Sequence, residues 1–162
     1  MAFVFSYIPG QTAGTLISGN GEFIVRVPFA FDDETGDVYS IVGDFAVFPG
    51  GGELEFEFGF KVIRASPEFE QIDEIFWDGQ ATMPFLSDRG HRAMVLGELF
   101  EILRFLIVKI RPQRLVMMTH TANLPKRALV KFQKLVAVMR EEGLDARKTD
   151  SWNGRHIWIA IR

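Results

Sequence analysis

Glu55-Phe56-Glu57-Phe58-Gly59-Phe60-Lys61-Val62 is the stretch on which the fold turns. Phe56, Phe58, Phe60 and Val62 fall on one side of an extended chain, and Glu55 and Glu57 on the other. Successive side chains of a strand point to opposite faces, so this is a strand with one buried and one wetter face. It is read as Glu53–Val62, entered through the turn Pro49-Gly50-Gly51-Gly52. A face so rich in phenylalanine needs a cover, and a second layer has to supply it.

Moving toward the N-terminus, the same reading gives strands over Ala2–Ile8, Glu22–Phe31 and Asp37–Phe48. Ser18-Gly19-Asn20-Gly21 supplies residues that tolerate positive φ before the second of these, as a tight turn requires. Asp32-Asp33-Glu34-Thr35-Gly36 has the composition of a turn. A further strand is expected near Phe69–Trp77, although Pro67 and scattered acids interrupt its pattern.

Toward the C-terminus the period changes. Ala93, Leu96, Phe100, Leu103 and Ile107 recur at helical spacing, predicting a helix over about 90–109 that Pro112 stops. Leu115–Thr119 reads as a short buried strand. Asn123 is then expected to cap a second helix over about 124–142, with Pro125 in its first turn. Its apolar stripe is Ala128, Phe132, Leu135, Val136 and Met139, and Gly143 suits its end. Strands over Asp145–Asp150 and His156–Arg162 complete the chain, joined through Asn153-Gly154, a strong hairpin signal. The expected fold is one α+β domain over residues 1–162: a mixed, mostly antiparallel twisted sheet covered by two amphipathic helices.

Composition narrows the class. The 162 residues are 48% hydrophobic and 24% charged, values of an ordinary globular protein rather than a disordered one. Cysteine is absent, which removes disulfide and thiolate chemistry and fits a reducing, cytoplasmic setting. Residues 1–9 lack the basic region of a signal peptide, and Arg104 and Lys109 break the longest apolar helical run, so no membrane association is expected. The three histidines, His91, His120 and His156, do not have metal-ligand spacing, and no metal is expected.

The charge is unevenly placed. Residues 1–85 carry 3 Lys/Arg against 14 Asp/Glu, and residues 86–162 carry 15 against 7. Such asymmetry can mark an anionic partner for the basic half, or two halves that neutralise each other. Two predicted helix starts hold basic residues where acids are normally favoured: Asp88-Arg89-Gly90-His91-Arg92, and Asn123 to Arg127 with Lys126. Helix N-termini are ready anion sites, so a phosphate or carboxylate ligand would resolve the conflict. Side chains from the acidic half would resolve it equally well. Arg127, Lys131 and Lys134 form a basic stripe, but no aromatics interleave with it and the whole chain is acidic. Nucleic acid is therefore the least favoured partner.

Residues from about 69 to 162 resemble the second half of a GNAT-type N-acetyltransferase. The resemblance rests on element order and on the loop Asp88-Arg89-Gly90-His91-Arg92-Ala93, with Asn123 beginning the second helix. It implies an acetyl-CoA or other acyl-CoA cofactor, with Arg89, Gly90, His91 and Arg92 around the pyrophosphate. It also implies Asn123 by the pantetheine arm and transfer of the acyl group to an amine. Lys126 and Arg127 join the same candidate anion site. The chain departs from the family pattern at Arg92 and Met94, where small residues are usual, and at Phe132, near the place of a tyrosine general acid. The competing expectation is a non-catalytic interaction module on such a scaffold, assembling as a homo-oligomer through its aromatic sheet or edge strands.

Overall fold

The computed structural model describes residues 3–77, 81–82 and 84–162. The strands are β1 (Phe3–Phe5), β2 (Thr15–Gly19), β3 (Glu22–Asp32), β4 (Val38–Val47), β5 (Glu55–Ala65), β6 (Ile72–Phe76), β7 (Arg114–Met118), β8 (Asp145–Lys148) and β9 (Ile157–Ile161). The helices are α1 (Arg89–Ile110), after β6, and α2 (Val130–Glu141), after β7. Among the described residues all nine strands join one sheet in the order β1-β3-β4-β5-β7-β9-β8. β2 lies beside β3, and β6 beside β5. The pairing of β5 with β7 is parallel and the others are antiparallel. The α+β class and the mixed, mostly antiparallel sheet with two helices are thus as expected.

The phenylalanine alternation does what the sequence implied. Phe56, Phe58, Phe60 and Val62 join one core with Val25, Val27, Tyr39, Ile41, Phe45 and the helices. α1 buries Val95, Leu99, Ile102, Leu103, Leu106 and Ile107. The expected stripe through Leu96 and Phe100 lies beside this face and is partly buried against the same core. Gly43 lets α1 pack close to the sheet: a Cβ there would sit 2.7 Å from Ile102 Cγ2. Two hairpins use the expected turns, with Asn20-Gly21 and Asn153-Gly154 all at positive φ.

Several expectations are corrected. The first strand covers only Phe3–Phe5, and Ala2 lies outside the described residues. β2 was not expected; it fills the segment taken as turn, pairing Thr15–Gly19 with Glu22–Arg26. Phe69 sits in the β5–β6 loop at φ 57°, so the strand there is Ile72–Phe76. The second helix begins later than expected. Lys126–Leu129 is a four-residue 3-10 turn and α2 starts at Val130. Asn123 is no cap: it is left-handed at φ 56°, and its N–H donates to the Gly154 carbonyl at 2.8 Å. A contact with the far hairpin has outweighed the local capping preference.

Candidate anion-binding site

The sheet opens next to its parallel pair. Glu55, Phe56 and Glu57 of β5 pair with Arg114, Leu115 and Val116 of β7. From Lys61 onward the same edge of β5 pairs with β6 instead. Between these two pairings Phe58, Gly59 and Phe60 border a narrow slot, closed by Trp77 after β6, by Met118 and His120 at the end of β7, and by Phe132 of α2. Glu57 lines it too. His120 stacks on Phe76 with ring centroids 4.0 Å apart, and Trp77 is 5% exposed. The free space is about 10 Å³, room for roughly one water.

Trp77 also walls a wider depression on the helix side, about 290 Å³ in volume. Arg89 and Arg92 reach it from the first turn of α1, Arg127 from the 3-10 turn and Lys131 from α2. Ala93, Leu96, Ala128 and Val130 supply its apolar walls. The Lys131 ammonium lies 5.8 Å from the Trp77 ring centroid. Among the described residues neither Arg89 nor Arg127 has a carboxylate within 4.0 Å, whereas Arg64, Arg104, Arg114 and Arg147 each do. Arg92 makes one long hydrogen bond, Nη1 to the Leu86 carbonyl at 3.5 Å. Like charges are thus gathered around one concavity, with two of the arginines lacking a carboxylate partner among the described residues, an arrangement that an anion would stabilise.

The remaining candidates are placed differently. Gly90 lies in the first turn of α1, where Asp88 is the N-cap and accepts the His91 N–H at 2.8 Å. That bond holds the Asp88 carboxyl below the usual carboxylate range. The His91 ring does not line the depression and stacks on Phe5 at 3.8 Å between centroids. Asn123 packs against Gly154, where a Cβ would be 2.5 Å from its Oδ1. Lys126 is exposed and does not line the depression. Trp77, Leu96 and Lys131 belong to the site without having been singled out for it. Lys131 alone carried a signal, its basic stripe with Arg127.

On the helix-free face of the sheet, carboxylates gather around Asp44. Asp44 of β4 pairs with Gly59, and a Cβ on Gly59 would lie 2.9 Å from Asp44 Oδ1, so glycine leaves room for that carboxylate beside the slot. Burial pushes the Asp44 carboxyl up to about 6; Glu22, Glu57 and Glu74 push the same way and Lys61 opposes them. A carboxyl raised in the fold favours its protonated form there. Its contribution to stability is therefore greatest below the ordinary value of 3.8 and fades as pH rises through about 6. Asp44→Asn is expected to raise unfolding free energy at about pH 7.5 by at most about 3 kcal/mol, and by much less near pH 4.5. Urea midpoints at the two pH values measure this; parallel pH dependence in both proteins would refute the assignment.

No family model matches the chain, and neither curated proteins nor solved structures gave a match. Among the described residues no group of three or more His, Cys, Asp or Glu is arranged to hold a metal ion. No helix there is long and apolar enough to cross a membrane.

Proposed function

We propose that the chain binds an acyl-CoA, or another ligand carrying a compact polyanion, in the depression of Arg89, Arg92, Arg127 and Lys131. The carrying observation is the convergence of these cations, two of them arginines without a carboxylate partner among the described residues, at the first turn of α1. Guanidinium groups bind phosphate oxygens in pairs, and the unpaired N–H groups of a helix start add to them. The order strand, helix, strand, helix, hairpin, with β5 and β7 parallel, supports the GNAT-like reading of the C-terminal half.

On that reading the acyl group points past Trp77 toward the slot, and an amine enters from the acidic face. The amine nitrogen attacks the thioester carbonyl, the C–N bond forms, the C–S bond breaks and the coenzyme leaves as thiolate. Glu57 is our candidate to take the amine proton, because it is the acidic residue bordering the slot. The slot has to widen for this, by displacement of Trp77 or of His120 from Phe76. Thermal unfolding with and without millimolar CoA tests the binding step: a concentration-dependent rise in Tm is expected, and no rise with the protein folded rejects it.

The narrowness of the slot favours a second reading, a non-catalytic module that assembles through its sheet. Phe31, Ile72 and Phe76 are 38%, 51% and 40% exposed on the helix-free face. A stable homo-oligomer by light scattering, indifferent to CoA, is the outcome that reading requires.

A further inference from the structure

On the other flank of α1, remote from the arginines, a cleft of about 370 Å³ separates the helix from β2 and β3. Leu16, Val25, Val27 and Ile102 floor it and Phe105, 45% exposed, overhangs it. Gly14 keeps the mouth clear above Val27, since a Cβ there would meet Val27 Cγ2 at 2.9 Å. Glu98 and Glu101 are the acidic residues of this otherwise apolar lining. Glu101 is hydrogen-bonded by Arg104 Nη1 at 3.2 Å. Glu98 is different. Its Oε2 accepts from the buried Tyr7 hydroxyl at 2.5 Å, and among the described residues no cation lies within 4.0 Å of it.

We propose that this cleft binds a small aliphatic amine as its ammonium ion, the charge on Glu98 and the hydrocarbon on the β2–β3 floor. A partly buried carboxylate without a countercharge is costly, and mid-helix Glu98 gets no help from a helix terminus. Burial raises its proton affinity accordingly. The Tyr7 hydroxyl orients the carboxylate but brings no charge. The apolar walls leave an ammonium as the complementary group and an alkyl chain as its body. At roughly 30 Å³ per non-hydrogen atom the cleft holds about a dozen such atoms, the scale of a small molecule rather than a protein segment. This site is independent of the acyl-CoA reading.

Calorimetric titration of the full chain with n-hexylammonium, 1-hexanol and hexanoate provides the test. Saturable binding is expected for the ammonium ion, weaker binding for the alcohol and none for the carboxylate. Glu98→Gln keeps the volume and the Tyr7 hydrogen bond, and should weaken hexylammonium by about tenfold or more while leaving the alcohol unchanged. Phe105→Ala, at an exposed position, should weaken both. Absence of ammonium binding to the folded protein at millimolar amine, equal binding of alcohol and ammonium, or full binding by Glu98→Gln would each overturn the proposal.

Discussion

Phe45→Ala is expected to lower unfolding free energy by about 3–5 kcal/mol, enough to unfold a marginal domain. Phe45 is 0% exposed near the end of β4 and packs against Phe56, with centroids 5.6 Å apart, and edge-on against Phe58 at 6.1 Å. α1 crosses the same patch, where Ile102 and Leu99 approach Gly43. Removal of a ring there leaves a cavity walled by other rings, which packed surroundings fill only in part. The Tm of a chain this size should drop by roughly 2–4 °C per kcal/mol. Val47→Ala two residues along, at 50% exposure, should change stability by no more than about 0.5 kcal/mol. Equal effects at the two positions would show that the aromatic layer is not the core.

The second large effect separates ligand binding from folding. Reversing charge in the double variant Arg89→Glu, Arg127→Glu should abolish stabilisation by CoA, with affinity down about a hundredfold or more. Ordinarily such a change would be suspected of damaging the fold. Here it should not, because an acid in the first turn of α1 suits the helix dipole better than arginine does, by about 0.3–1 kcal/mol. The unliganded Tm is therefore expected to hold or rise while the CoA-dependent shift disappears. A variant still protected by CoA would mean that the ligand sits elsewhere.

Much of the fold was legible because its signals are local. The alternation through β5 fixes which face is buried, and the Asn-Gly turns require only two adjacent residues. β2 escaped notice because Thr15–Gly19 offers two apolar residues between glycine-rich neighbours, and its pairing with β3 gives it definition. Asn123 misled for the opposite reason. Its local pattern was a good cap, but the carbonyl of Gly154, distant in sequence, holds its backbone left-handed.

The site was legible in part, along the same divide. Basic residues at the start of α1 conflict with the helix dipole, and that conflict can be read from one segment. The meeting of Arg89 with Arg127 around Trp77 depends on how α1 and α2 pack, and no spacing along the chain encodes it. His91 belongs to the same basic segment, yet its ring is committed to Phe5 of the first strand. Asp44 gave no signal either, because a lone acid in an apolar strand looks solvent-facing until burial beside Gly59 is seen. Part of the uneven charge of the two halves lies in a cationic depression on the helix side and a group of carboxylates around Asp44 on the other face.

The most direct measurement is a crystal structure of the protein soaked with CoA, in a lattice that leaves the Trp77 depression open. Binding as proposed predicts pyrophosphate density against Arg89, Arg92 and Arg127 at the first turn of α1. An empty depression at saturating CoA, or density for the coenzyme at another surface, would contradict it.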